Sequence, residues 1–72
     1  MSIWPSTRAR KVLQALERIG WKQVEGRTSG SHRQLVRNAG ERFTWAFHEG
    51  EEIGPRMLAR IAKATGLKPE DL

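Results

Sequence analysis

The sequence predicts an α+β domain of order α-β-β-β-α, a three-stranded antiparallel sheet with two helices on one face. Three observations predict it. Apolar residues recur at spacings of three and four through residues 9–19 and again through 58–65, the period of a helix that buries one face. Two short segments flank "NAGE" at 38–41, which has the composition of a hairpin loop. Phe43, Trp45 and Phe47 alternate, so all three point to one side of a strand.

The first helix lies within "PSTRARKVLQALERIGW". Ser6 or Thr7 can accept a hydrogen bond from a free N–H of the first turn, so either is a candidate N-cap. Ala9, Val12, Leu13, Leu16 and Ile19 share one face, while Arg10, Lys11, Gln14, Glu17 and Arg18 fill the other. Gly20 follows the last periodic residue and can take the left-handed conformation that ends a helix. "WKQVE" at 21–25 is a short strand. Its apolar members, Trp21 and Val24, differ in parity, so its buried face is ambiguous and a bulge is allowed. "GRTSG" at 26–30 is a turn by composition, and "SHRQLVR" at 31–37 and "RFTWAF" at 42–47 are the hairpin strands.

"HEGEEIGP" at 48–55 reads as a polar connection. Pro55 suits the first position of the second helix, where its missing N–H costs nothing. Leu58, Ile61, Ala62 and Thr65 share a face of that helix, Gly66 closes it, and "KPEDL" can add one more turn that packs Leu72. Both helices on one sheet face give a single core. The other face stays open to solvent, as antiparallel sheets allow.

The chain has 72 residues, which fits one domain spanning 1–72. A chain this short buries only about 60% of its unfolded surface, so its stability is marginal. It contains no cysteine, which excludes disulfides and thiolate metal sites and suits a reducing cytoplasm. "MSIWPSTRAR" has no apolar run of the signal-peptide kind, and no stretch approaches the roughly 18 apolar residues of a membrane span. "EGEE" at 49–52 reads as a solvated loop; no His/Asp cluster of ligand spacing accompanies it, so neither metal nor cofactor is expected. Net charge is +5, and it is unevenly spread. Residues 1–38 hold eight basic and two acidic residues, against five basic and six acidic in 39–72. The basic half is the expected attraction for a polyanion or an acidic partner.

Parity places the candidate chemistry. With Leu35 inward, His32, Gln34 and Val36 face the open side; with Phe43, Trp45 and Phe47 inward, Thr44, Ala46 and His48 face it too. Both histidines of the chain thus fall on the open face. An exposed histidine on a basic surface suits RNA cleavage. The 2′-OH must lose a proton to attack the neighbouring phosphate, and the leaving 5′-oxygen must gain one. Histidine titrates near pH 6.5 and can do either. Backbone N–H groups around Gly30 and Ser31 can add a small anion nest, and Arg or Lys can offset charge in the transition state. Arg33 and Arg37 flank His32 and are candidates for RNA backbone contact, with Arg27 and Lys22 behind them. Taken singly, Arg8, Arg10, Lys11, Lys22 and Arg27 read as solvated charges, and Trp4 as packing at the start of the first helix.

Four segments, "LERIGW" (16–21), "GSHRQL" (30–35), "TWAFH" (44–48) and "RIAKATGL" (60–67), keep the order and spacing of a known pattern. The chain resembles the HicA (YcfA-like) toxins, small mRNA interferases of bacterial toxin–antitoxin systems. The resemblance covers nearly the whole chain. It implies a double-stranded-RNA-binding-domain-like fold, His32 as the catalytic histidine of a metal-independent endoribonuclease, mRNA as substrate and a HicB-type antitoxin as partner. His48 stands where many members carry a histidine and is a candidate supporting residue, as are Ser31 and Gly30. The chain departs from the pattern at Trp45-Ala46-Phe47, where many members have Val-Pro before the second histidine. It departs again at Arg56-Met57-Leu58-Ala59, where the family has Gly-Thr-Leu-Arg. The same fold would also serve a non-catalytic RNA-binding module, or a protein-interaction domain whose basic face docks an acidic partner. Of the three, only catalysis needs the imidazole of His32.

Overall fold

The computed structural model describes residues 3–24, 33–38 and 40–72. Among these the elements run β1 (Thr7–Arg8), α1 (Ala9–Arg18), β2 (Lys22–Gln23), β3 (Arg33–Val36), β4 (Arg42–Trp45), β5 (Glu52–Ile53), α2 (Pro55–Thr65) and a 3-10 turn over Pro69–Asp71. The expected α-β-β-β-α order is present as α1-β2-β3-β4-α2, with an antiparallel sheet of order β2-β3-β4. The register pairs Gln23 with Leu35 and Leu35 with Phe43 across the sheet.

One element differs from expectation. Residues 48–55 are not merely a polar connection, because β5 pairs antiparallel with β1, Thr7 opposite Ile53 and Arg8 opposite Glu52. This ribbon changes how α1 begins. Neither Ser6 nor Thr7 caps it, and the Thr7 hydroxyl instead donates to the Pro5 carbonyl at 2.8 Å. Strand pairing holds the chain extended through Arg8, and it brings distant carbonyls over the helix start. The Ala9 N–H donates to the Glu51 carbonyl at 2.7 Å, and the Arg10 N–H to the Glu49 carbonyl at 3.4 Å. Donors that a helix leaves unpaired at its first turn are thus met by backbone rather than by a side chain.

α1 ends as its sequence foretells. Gly20 has φ 111°, its N–H donates to Glu17 and the Trp21 N–H donates to Leu16, the two bonds of a Schellman stop. α2 opens on Pro55 and closes at Gly66, φ 80°. In the hairpin loop Gly40 has φ 83°, and the Arg37 N–H donates to Glu41 at 3.0 Å.

The core takes Leu13 and Leu16 from α1, Leu58 and Ile61 from α2, and Leu35 and Trp45 from the sheet. Both helices therefore cover the sheet face to which Leu35 and Trp45 point. Trp21, Ile53 and Leu67 complete the cluster, with Trp4, Phe43, Phe47 and Leu72 packed at its margin. Each fully buried aliphatic side chain contributes about 1.5–3 kcal/mol.

The parity ambiguity of residues 21–25 resolves without a bulge at its described positions. Lys22 lies opposite Val36, and the Val24 N–H donates to the Gln34 carbonyl at 2.9 Å. Trp21 enters the core while Val24 joins Gln34, Val36 and Arg42 around a shallow depression on the open face. Val36 is consequently half-buried rather than bare.

Candidate functional site

Gly30, Ser31, His32 and Arg27 lie outside the described residues, and so does the parity expectation for His32. Their described neighbours show what is built around that stretch. Arg33 opens β3 opposite Trp45. It shares parity with Leu35, so it lies on the helix side rather than the open face. It is half-buried, and its Nη2 stands 3.9 Å from Glu49 Oε1. An ion pair this long and this solvated contributes little stability. Its value is positional: residues next in sequence to the two histidines, Arg33 after His32 and Glu49 after His48, meet across the sheet end.

His48 is exposed, three residues beyond the end of β4, and Thr44 and Ala46 are exposed as parity expects. The backbone that carries His48 is tied down. Its carbonyl accepts the Glu51 N–H at 3.0 Å, the carbonyls of Glu49 and Glu51 cap α1, and the Gly50 carbonyl accepts from Arg8 Nη1 at 2.9 Å. The imidazole is therefore presented to solvent from a fixed turn.

Lys22 is exposed on the open face. Arg42, which sequence reasoning passed over, lies there as well, opposite Val36. Its parity with Thr44 and His48 was the available signal.

Arg37 has another occupation. Its Nε and Nη2 donate to the two carboxylate oxygens of Glu41 at 2.8 and 2.6 Å, and Nη1 donates to the Thr65 carbonyl at 2.8 Å. The guanidinium also lies over the Trp21 ring, 4.9 Å from its centroid. Trp21 Nε1 donates to the same Thr65 carbonyl at 3.1 Å. The C-terminus of α2 thus receives a cation and two hydrogen bonds, a favourable end for its dipole. Arg37 clamps the hairpin loop to α2, and contact with RNA would compete with all of these partners.

Hydrogen bonding from Arg37 holds the Glu41 carboxyl below the usual carboxylate range. A carboxylate depressed by folding adds stability that is present above its unfolded value, about 4.3, and that is lost as pH falls through the lower folded value. Glu41→Gln should therefore lower the melting temperature near neutral pH, and the gap to the parent should close as pH falls below about 4. Melting curves across pH 2–7 check this; a gap that persists at the acid end would mean that Glu41 acts other than through its charge.

Among the described residues, no group of three or more His, Asp or Glu side chains is placed to hold a metal ion. No helix there is long and apolar enough to cross a membrane. The family model described as "HicA toxin of bacterial toxin-antitoxin" matches residues 9–67, from the start of α1 to the residue after Gly66. A search of curated proteins finds no match to the chain.

Proposed function

The chain belongs to the HicA toxin family of bacterial toxin–antitoxin systems, and we propose that it acts as an endoribonuclease on mRNA, with His32 as the catalytic histidine and a HicB-type antitoxin as its restraint. The observation that carries this is the match over residues 9–67, inside which Gly30-Ser31-His32 immediately precedes β3. The reaction has a simple proton balance. The 2′-OH gives up its proton and its oxygen bonds to phosphorus, the bond from phosphorus to the 5′-oxygen breaks, and that oxygen takes a proton. His32 is one proton-transfer group. His48, exposed on its tethered turn, is the candidate for the other. Its support is the Arg33–Glu49 contact, which draws the neighbours of the two histidines together. Backbone N–H groups of Gly30 and Ser31 would hold a phosphate oxygen. Arg27 and Lys22 would contact the RNA backbone; Arg33, on the helix side beside Glu49, and Arg37, held by Glu41 and Thr65, are left out of that set. The site of action is the cytoplasm, where mRNA is found.

This chemistry asks nothing of a metal ion. The purified chain should cut mRNA in excess chelator, and a 2′-deoxy nucleotide at the cut position should block cleavage there. Cleavage that appears only with Mg²⁺ or Mn²⁺, or that ignores the missing 2′-OH, would contradict the mechanism.

A further inference from the structure

We propose that Arg8, Arg10 and Lys11, at the junction of β1 and α1, form a phosphate-binding surface that guides single-stranded RNA past His48; this rests on the ribonuclease reading above. In the sequence these three are ordinary solvated charges. The fold gathers them around one surface depression of about 390 Å³, completed by Glu49 and Gly50. All three cations are exposed.

The attraction comes from side chains, not from the helix end. The N–H groups of Ala9 and Arg10 are already taken by the carbonyls of Glu51 and Glu49. Those bonds have a different use. Together with the Arg8 bond to Gly50 they fix the wall of the depression to α1, so the cations stand over a rigid floor. The carboxylate that shares the depression, Glu49, has Oε1 3.9 Å from Arg33, and the first turn of α1 carries no acidic residue. Glu52 stands opposite Arg8 in the ribbon and Glu51 is exposed beside it. The attraction for a polyanion therefore rests on Arg10 and Lys11, which have no carboxylate within ion-pair distance among the described residues.

Position decides which polyanion. The wall of the depression is Glu49 and Gly50, the two residues after His48, so a strand whose phosphates lie against Arg10 and Lys11 passes beside the turn that carries His48. An acidic face of an antitoxin would match the charge but has no need of that proximity. Arg56 and Arg60 on α2 are also exposed, yet they line a separate depression with Met57 and Ala59. They supply a control of equal charge.

The test uses the full chain and a single-stranded, fully 2′-O-methylated RNA, which cannot undergo 2′-OH attack. Binding is measured over a range of salt for the parent, for Arg10→Gln/Lys11→Gln and for Arg56→Gln/Arg60→Gln. Each phosphate contact contributes about −0.7 to the slope of log K against log salt for single strands. The α1 double variant should bind severalfold more weakly, with a slope shallower by about 1.4, and the α2 pair should stay near the parent. On cleavable RNA the α1 variant should raise KM and leave kcat near the parent's, the sign of lost uniform binding. The single variants, each expected to change the slope by about 0.7, give the same readout if the double variant melts early. Equal weakening by both pairs would reduce the effect to bulk charge and overturn the proposal. So would unchanged RNA binding, including the case in which antitoxin binding alone is lost. A parent that binds no RNA would overturn the ribonuclease reading, and this inference with it.

Discussion

Trp21→Ala is expected to remove a large share of the chain's stability and to lower its melting temperature by at least about 12 °C. Trp21 is 1% exposed and joins elements that the backbone leaves apart. Its ring packs edge-on to Phe43 with centroids 6.4 Å apart, its Nε1 bonds the end of α2, and Arg37 lies over its face. Truncating a buried Trp costs about 3–5 kcal/mol. At roughly 0.05–0.15 kcal/mol per residue, a chain of this length has about 4–11 kcal/mol in all. In a domain of this size each 1 kcal/mol moves the melting temperature by roughly 4–8 °C, so a fall of at least about 12 °C is expected. Trp21→Phe keeps most of the apolar area and loses only the indole N–H, so it should fall much less. The Thr65 carbonyl retains Arg37 as a donor in both variants. Thermal melting by circular dichroism measures both. A Trp21→Ala protein that melts within a few degrees of the parent would show that this tryptophan does not tie the hairpin to α2.

That junction marks where the sequence was legible and where it was not. Val12, Leu13 and Leu16, Leu58 and Ile61, and the alternation of Phe43 and Trp45 announce their faces through local periods. Gly20, Pro55 and Gly66 announce boundaries through backbone preferences. All of these signals lie within a few residues of their effect. The β1–β5 ribbon gives no such signal, because two residues per strand are too few for alternation to register. Ile53, the apolar residue amid "HEGEEIGP", was its trace. The cap of α1 was equally hidden: its acceptors come from Glu49 and Glu51, some forty residues onward, while the local rule pointed to Ser6 and Thr7. Arg37 looked like a free cation beside His32 because its partner Thr65 lies far along the chain. Glu41, four residues on across the hairpin loop, was the readable half of that clamp.

The candidate site divides in the same way. Parity put Thr44, Ala46 and His48 outward, and the structure agrees. It could not foresee that the His48 turn would be bound to the start of α1, since that depends on the ribbon. Nor could it gather Arg8, Arg10 and Lys11 into one place, because charge counts carry no geometry. For Gly30, Ser31, His32 and Arg27 the support is the family frame, with the described strands on either side.

The central claim is that the imidazole of His32 transfers a proton during RNA cleavage, and His32→Ala tests it most directly. Parent and variant are first shown to melt at the same temperature and to bind the same 2′-O-methylated RNA with similar affinity. Their single-turnover cleavage rates on mRNA are then compared. General acid–base catalysis contributes typically ~10²- to 10⁴-fold, so the variant should cut at least about a hundredfold more slowly, and growth inhibition on expression should vanish with it. A folded His32→Ala protein that binds RNA and cuts it as fast as the parent would contradict the claim.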